Sequence, residues 1–258
     1  MKKNKRYKQN QKLMIKKINS LSELISILKD DIGAYSEDVW FRGQSSFDWQ
    51  LIPGLFRYTS EISETSLLTR FKQSASLLID TSPKDDFDWL FLMQHYGVPT
   101  RLLDWSESPL TSLYFAISDE EHDDKDSALW VLKPIELNKL ANIKTTEKNY
   151  IPSFDDEYLE NYNIQNVNSN KKLEMSPVAT IATRNNSRIQ AQLGVFTIHH
   201  LNKKPLDEFC SEKEIVKYLI PKESKALLRK ELDLLSVNKF SLFPELSSIG
   251  EILKKKLS

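Results

Sequence analysis

The chain has little of the chemistry from which many functional sites are built. Among its 258 residues there is one cysteine, Cys210, and there are four histidines without the spacing of metal ligands. An internal disulfide therefore cannot form, and no metal cofactor is expected. Lysine plus arginine equals aspartate plus glutamate at 36 each, so no net charge favours binding to nucleic acid or to a membrane surface.

Long apolar runs are also missing. The longest ones are far too short to cross a bilayer, and the N-terminal lysines are not followed by the apolar stretch of a secretory signal. Together with the single cysteine, these absences predict a cytoplasmic protein without a membrane partner. There is no Gly-x-Ser-x-Gly, no phosphate loop of the Walker type and no dinucleotide glycine fingerprint, so the common nucleophile and phosphate motifs are excluded as well.

Charge is unevenly distributed along the chain. The first seventeen residues carry eight basic side chains and no acid. This pattern predicts a basic N-terminal arm over residues 1–19, followed by a single domain over residues 20–258. A lysine-rich arm is typical of a solvated tail, and the alternative is a loose contact with phosphates. Residues 142–176 are polar with little periodicity, which indicates an insertion or a lid within the domain.

Apolar spacing predicts helices and strands in an irregular order. Ser20 and the pair Ser108-Pro109 look like helix starts, because serine accepts a bond from the first helical turn and proline suits its first position. The absence of regular βαβ spacing favours an α+β fold with a mixed sheet or sheets flanked by helices. The predicted helices include 62–80, 85–97 and 222–235, and the predicted strands are 39–42, 128–132, 178–182 and 195–199.

Two segments place an arginine among large apolar side chains, Trp40–Ser45 and His95–Trp105. Burying a guanidinium is unfavourable unless an anion or a dense set of acceptors meets it. We therefore expect Arg42 and Arg101 to line a pocket for a pyrophosphate or a carboxylate, with internal pairing as the alternative. Gly43 would let the ligand approach the backbone closely.

Polar residues near these motifs are further candidates. His95 ends a predicted helix and could act as a donor, a base or an orienting group, or be a satisfied structural residue. Asp104 precedes a helix start and is expected to cap that helix. Residues 188–192, taken as a strand, place Arg188, Gln190 and Gln192 on one face, which favours a polar pocket.

The same residues carry a family resemblance. The match includes Phe41-Arg42-Gly43, the block Leu92–Trp105, and the segments Ser108–Leu110, Gln192–Thr197 and Ser241–Leu246. These segments resemble the FRG-domain family, which is named for the Phe-Arg-Gly motif, over nearly everything from about residue 20 onward. The family is bacterial and associated with phages, so the resemblance implies a role in phage defence or as a toxin.

More distantly, the order of motifs is similar to that of ADP-ribosyltransferases, which implies a split sheet and NAD as substrate. By that resemblance Arg42 would bind the pyrophosphate or the adjacent ribose, and Ser106 would belong to the motif that shapes the nicotinamide pocket. Gln190 and Gln192 stand where that family has a late glutamate. Glutamine is neutral and cannot stabilise the developing oxocarbenium charge.

Two hypotheses follow. In the first, a pocket binds a nucleotide-like anion such as NAD, with ADP-ribosyl transfer or NAD cleavage as the reaction, and Glu107 or Asp104 supplies the missing carboxylate; without one, the chain would bind a nucleotide and transfer nothing. In the second, the protein is a non-catalytic module that contacts protein or nucleic acid in a defence system. The first hypothesis assigns catalysis to His95, Glu107 and Gln192, and ligand contacts to Arg42, Gln44, Tyr96, Arg101, Ser106 and Gln190.

Overall fold

The computed structural model of the chain describes residues 15–59, 62–79, 83–143, 147–170, 172–182 and 187–255. Residues 1–14 of the predicted basic arm therefore lie outside the described residues. The end of the arm is part of the domain. Ile18 is fully buried and its N–H donates to the carbonyl of Leu219 at 2.9 Å, while Lys17 and Leu219 form a parallel bridge.

Six strands of the described residues form one sheet. Across the sheet their order is β4-β5-β2-β1-β3-β6. The α+β class is confirmed, with strands that pair antiparallel throughout rather than in a mixed sheet. In chain order the strands are β1 (Trp40–Gln44), β2 (Leu102–Ser106), β3 (Ser127–Leu132), β4 (Val178–Thr180), β5 (Gly194–Ile198) and β6 (Ile215–Ile220).

The sheet is most weakly paired at its centre. β1 and β2 share a single register pair, Phe41 with Ser106, whereas β1 shares five pairs with β3 and β2 shares five pairs with β5. The sheet therefore consists of two three-stranded halves, β4-β5-β2 and β1-β3-β6, that meet at one point. We call the junction of β1 and β2 the seam. It is the feature of this sheet that comes nearest to the split sheet expected from the sequence.

Helices cover both faces of the sheet. In the described residues they are α1 (Leu21–Ile32), α2 (Glu64–Ala75), α3 (Asp86–His95), α4 (Pro109–Ile117), α5 (Pro134–Leu140), α6 (Ile164–Ser169), α7 (Ser187–Ala191), α8 (Leu206–Phe209), α9 (Lys225–Leu234), α10 (Lys239–Leu242) and α11 (Leu246–Lys255), with short 3₁₀ turns at Gly54–Arg57, Glu120–His122, Glu157–Tyr162 and Lys222–Ser224. Because side chains alternate along a strand, Phe41 packs with α1, α4 and α9 on one face while Trp40 packs with α5 and α8 on the other.

Capping side chains fix where three of the predicted helices begin. Ser20, Asp85 and Ser108 each accept a hydrogen bond from the backbone N–H three residues later, at the starts of α1, α3 and α4. Each cap satisfies a donor that the first turn leaves without a helical partner. The sequence signals at these three positions are confirmed. The strand β6 was not predicted, although its apolar run pairs with β3 along six residues.

The polar segment 142–176, interpreted above as an insertion or a lid, contributes to the core. Its apolar residues are sparse but buried, and they pack with α2, α3 and the strands β2, β4 and β5. Tyr162 is almost fully buried, and its hydroxyl donates to the carbonyl of Ser176 at 2.5 Å. The buried side chains of the segment's described part are Ile151, Pro152, Phe154, Leu159, Tyr162, Ile164 and Val167.

Gly43 is where β1 and α4 approach most closely. A Cβ atom at this position would lie 1.9 Å from the carbonyl oxygen of Ser112 and 2.5 Å from the backbone nitrogen of Ala116. Both are backbone atoms of a buried helix, so they cannot move aside as a flexible side chain would. The space beside Gly43 that the sequence assigned to a ligand is therefore filled by α4.

We expect Gly43→Ala to destabilise the protein by about 3 kcal/mol, because the new methyl group would push α4 away from the sheet. Urea unfolding measures the change. Gly250→Ala is the matched control, since a Cβ there meets nothing within 4 Å. In the helix α11 alanine should stabilise by at most about 1 kcal/mol. A Gly43 variant as stable as the Gly250 variant would contradict the close packing of β1 on α4.

Candidate functional site

Arg42 lies on the seam with its hydrogen-bonding capacity incompletely used. Its Nη1 donates to the backbone carbonyl of Asp104 at 2.5 Å and lies 3.9 Å from the carboxylate oxygen Oδ2 of Asp104. The side chain is 17% exposed, and its buried Nε has no hydrogen-bond partner among the described residues. Burial lowers the pKa of Arg42, and the charge of Asp104 opposes that shift. An anion at the exposed part of this guanidinium would add acceptors that the group lacks.

Asp104 is oriented by a chain of hydrogen bonds. Its Oδ2 accepts from Nε2 of Gln94 at 2.8 Å, and Oε1 of Gln94 accepts from the hydroxyl of Thr100 at 2.7 Å. The hydroxyl of Thr100 in turn accepts from the N–H of Leu102 at 3.1 Å. The side chain of Asp104 is 54% exposed, so a fixed carboxylate faces solvent beside Arg42. The expectation that Asp104 caps α4 is wrong, because Ser108 holds that position.

A cavity of about 70 Å³ adjoins Asp104 on the β2 and β5 side of the seam. Its lining combines amide, imidazole, guanidinium and carboxylate groups with aromatic side chains, which is the mixture expected for a site that orients a polar ligand. The lining residues are Phe91, Gln94, His95, Asp104, Trp105, Arg188, Ile189, Gln192, Gly194 and Phe196.

His95 and Arg188 meet at one wall of the cavity. Nη1 of Arg188 donates to the backbone carbonyl of His95 at 3.1 Å, and its guanidinium lies 4.6 Å from the ring centre of Phe243. Burial and, after it, the charge of Arg188 lower the pKa of His95, while Glu245 opposes them. The imidazole is therefore neutral at neutral pH, the form that can accept a proton.

Residues 187–191 form the helix α7, so the strand expected over 188–192 is wrong. The backbone N–H of Gln192 donates to the carbonyl of Arg188 at 2.9 Å, and Leu193 then takes a left-handed φ of 48° before β5 begins. On a helical turn residues four apart share a face. Arg188 and Gln192 accordingly line the cavity together, while Gln190 is exposed.

Gln192 is held by the C-terminal part of the chain. Its Nε2 donates to the carbonyl of Leu242 at 3.1 Å, and its own carbonyl accepts from the hydroxyl of Ser106 at 2.6 Å. Ser106 is thereby used to hold α7 against β2, away from open solvent. Gln192 therefore lies at the cavity, and Ser106 lies behind it.

Arg101 lies away from the cavity, inside the domain. Its Nε donates to Oε2 of Glu64 at 2.6 Å, and the two side chains are 3% and 9% exposed. Its Nη1 and Nη2 donate to the carbonyls of His199 at 2.9 Å and Tyr162 at 2.8 Å. Each guanidinium nitrogen therefore has an acceptor, so Arg101 serves as an internal structural anchor.

The remaining predicted residues are dispersed. Oε1 of Gln44 accepts from the indole N–H of Trp130 at 2.7 Å in the interior. Tyr96 is 65% exposed and its ring meets that of His95 edge to face at 4.8 Å. Glu107 is exposed and lines a separate groove of about 670 Å³ along α1. Of the predicted set, Arg42 and Ser106 lie at the seam, and His95 and Gln192 line the cavity beside it.

Sequence reasoning missed Gln94 as the group that orients Asp104. The available signal was its place one residue before His95, at the end of the same helix. It also grouped Arg188 with Gln190 and Gln192 without making Arg188 a site residue.

Metal and thiol chemistry find no support in the described ranges. No group of three or more histidine, cysteine, aspartate or glutamate side chains is arranged there to hold a metal ion. Burial, with Glu214 and Asp207, raises the pKa of Cys210 to about 12, so the thiol stays protonated. None of the helices in those ranges has the length and apolar character needed to cross a bilayer.

Comparison with known proteins gives one match. A family model described as "FRG domain" matches residues 37–125. The range runs from before β1 to beyond α4, so it includes Arg42, Gln94, His95 and Asp104, whereas Arg188 and Gln192 lie outside it. No curated protein and no solved structure matches the chain.

Glu64→Gln tests the structural position of Arg101. The substitution leaves a buried guanidinium without its counter-charge, so we expect the free energy of unfolding to fall by about 3–5 kcal/mol in urea titrations. Lys139→Gln is the control, because its ion pair with Glu136 is half-exposed and should contribute about 1 kcal/mol or less. Equal, small losses in the two variants would show that the Arg101 pair is not an anchor.

His199 predicts a loss of stability in acid. The residue is fully buried, and burial, followed by the charge of Arg101, lowers its pKa from 6.5 to about 3, with the backbone of Lys204 opposing. As the pH falls below 6.5, the unfolded chain takes up a proton that the folded chain resists. The stabilisation present at higher pH is therefore lost between these two values.

The measurement compares urea unfolding of the wild type and His199→Phe at pH 7.5 and 5. Phenylalanine keeps a ring between Phe56 and Phe209 and does not titrate. We expect the wild type to lose about 2 kcal/mol more than the variant over this interval. Carboxylates are common to both proteins and cancel in the comparison. The same pH dependence in both would overturn the prediction.

Proposed function

We propose, from the premise that residues 37–125 are an FRG domain, that the seam of this domain binds a nucleotide-like anion and that NAD is its substrate. In this proposal Arg42 holds the pyrophosphate, and the nicotinamide riboside end lies against the exposed carboxylate of Asp104, at the mouth of the cavity of about 70 Å³. The resemblance to ADP-ribosyltransferases motivates the choice of NAD. The geometry of the seam supports an anion of this class.

The observation that carries the proposal is that the guanidinium of Arg42 is only partly hydrogen-bonded within the described residues. A structural arginine is expected to have its donors filled, as those of the more deeply buried Arg101 are. Arg42 instead has a backbone carbonyl on one nitrogen, an unpartnered Nε within the described residues, and the carboxylate of Asp104 only at 3.9 Å. A phosphate at the exposed part of the guanidinium would add charge-assisted bonds.

Asp104 is the group proposed to act on the reacting bond. In NAD cleavage the bond between C1′ of the ribose and the ring nitrogen of nicotinamide breaks, and both electrons leave with nicotinamide. The ribose becomes an oxocarbenium ion, which water or an acceptor nucleophile then attacks, losing a proton. A fixed carboxylate stabilises that positive charge, and Asp104 is held in place by Gln94 before any ligand arrives.

The two other cavity residues have supporting roles in the proposal. His95 is neutral and can take the proton that the attacking nucleophile loses. Gln192, tied to Leu242, offers an amide oxygen to a ribose hydroxyl. Glu107, the first acid suggested by the sequence, lines the groove along α1 and is left out of the proposed site.

Such an activity would suit a toxin or a phage-defence protein. A cell that loses its NAD loses the carrier on which its redox metabolism depends. In this proposal the protein would act on NAD itself or attach ADP-ribose to an acceptor. The choice between water and another nucleophile depends on what reaches the exposed side of Asp104.

We expect the full chain to bind NAD in isothermal titration calorimetry and to release nicotinamide, detected by chromatography. Arg42→Gln should weaken binding by about 10- to 100-fold, because one or more charge-assisted bonds are lost. Asp104→Asn should keep the binding and slow nicotinamide release by about 10²-fold or more, since the amide carries no charge. Arg70→Gln, at an exposed position on α2, is the matched control.

Three results are distinguishable. Binding without cleavage in the wild type would reduce the proposal to a nucleotide-binding domain. Cleavage that survives Asp104→Asn would move the catalytic role to another residue. If the wild type binds neither NAD nor ADP-ribose, the seam is not a nucleotide site, and the non-catalytic interaction module becomes the better account.

A further inference from the structure

We infer that Arg57 is the second cation of the seam site and that, with Arg42, it selects ligands carrying two adjacent phosphates over ligands carrying one. The inference rests on the proposed function and names its ligand class more narrowly. Arg57 belongs to neither of the two arginine motifs of the sequence. Its assignment comes from the contacts that hold its segment next to the residues that orient Asp104.

The segment that carries Arg57 is hydrogen-bonded to Thr100, which helps to orient Asp104 through Gln94. Arg57 ends the 3₁₀ turn Gly54–Arg57, and within that turn the N–H of Leu55 donates to the carbonyl of Thr100 at 3.0 Å. A Cβ atom at Gly54 would already touch Pro99 at 3.4 Å, so the turn lies close against this stretch. Thr100 is also the residue whose hydroxyl holds Gln94. The turn and the oriented carboxylate therefore share one anchor.

The guanidinium of Arg57 is directed but still available. Its Nε donates to the carbonyl of Ile52 at 2.9 Å, a bond within its own loop that restricts where the group can lie. The residue as a whole is exposed. The Nε side of the planar guanidinium is therefore used for positioning, and its terminal nitrogens, Nη1 and Nη2, are left to meet a ligand from solvent.

The electrostatic interaction between the two arginines is consistent with this geometry. The charge of Arg57 contributes to lowering the pKa of Arg42, after the larger effect of burial, and Asp104 is the carboxylate that opposes both. Arg42 and Arg57 thus bring two positive charges to this region against the one exposed carboxylate of Asp104. Like charges repel each other, and an anion bound between them would offset that repulsion.

The two guanidinium groups of Arg42 and Arg57 suit a diphosphate for a geometric reason. A guanidinium binds a phosphate through parallel N–H donors in a plane, so each fork takes one phosphate group. A monophosphate can fill the place at Arg42 and leaves Arg57 without a partner. A diphosphate spans both. The preference for two phosphates should therefore depend on Arg57, whereas binding as such should depend on Arg42.

The test compares ADP with AMP by isothermal titration calorimetry on the full chain at low salt, because the adenosine half is then constant. We expect the wild type to bind ADP about tenfold or more tightly than AMP. Arg57→Gln should remove that preference and leave AMP binding within about twofold of the wild type. Arg57→Lys keeps the charge without the fork and should retain part of the preference.

The controls separate folding from recognition. Arg57→Gln is an exposed substitution, and its thermal unfolding midpoint should match that of Arg70→Gln, which should also keep the full ADP preference. Inorganic pyrophosphate should compete with ADP more strongly than phosphate does, in the wild type but not in Arg57→Gln. Arg42→Gln should weaken ADP and AMP alike.

The outcomes are decisive in either direction. Equal affinity of the wild type for ADP and AMP, or an unchanged preference in Arg57→Gln, overturns the role of Arg57 while the nucleotide site at Arg42 stands. Parallel weakening of both ligands by Arg57→Gln also overturns it, because Arg57 would then not discriminate. A wild type that binds none of these ligands overturns the proposed function and this inference together.

Discussion

The structure depends on how β1 and β2 meet. The two central strands share one register pair, Phe41 with Ser106, and beyond it a side chain takes over from the backbone: Arg42 reaches across to the carbonyl of Asp104. A fully paired ladder would have used that carbonyl within the sheet. The incomplete pairing is what allows a charged group to lie at the centre of a sheet with one side open to solvent.

Three arginines of the domain show that surroundings decide the role of a guanidinium. Arg101 is enclosed by Glu64 and two carbonyls and acts as an anchor. Arg188 stacks on Phe243 and holds the backbone of His95, so it shapes a wall. Arg42 retains an unpartnered nitrogen within the described chain. The residue type is the same in each case, and the acceptors that surround it differ.

The sequence revealed the local features better than the ones that depend on packing. The caps at Ser20 and Ser108 each depend on a few consecutive residues, so both could be predicted from the sequence. The role of Gly43 was not, because the helix that fills its space is about seventy residues away along the chain. The arginine of each motif could be found by its apolar neighbours, but no local pattern shows that Glu64 meets Arg101.

The short helix α7 shows the same limit at the site. Alternation over residues 188–192 is equally compatible with a strand or one helical turn, and the left-handed Leu193 that ends the turn has no sequence signal of the kind glycine gives. Helical spacing brings Arg188 and Gln192 to the cavity and turns Gln190 outward. The change from strand spacing to helical spacing therefore keeps Gln192 in the site and removes Gln190 from it.

The contacts between the α7 region and the C-terminal part of the chain bear on where the functional domain ends. The carbonyl of Leu242 holds Gln192, and Phe243 supports Arg188, so two residues near the end of the chain hold the outer wall of a cavity whose inner wall is some 140 residues earlier. The segment matched by the family model, 37–125, supplies only that inner wall. A protein cut to those limits would keep the motif and lose the enclosure, which makes the domain boundary drawn from sequence narrower than the boundary drawn from contacts.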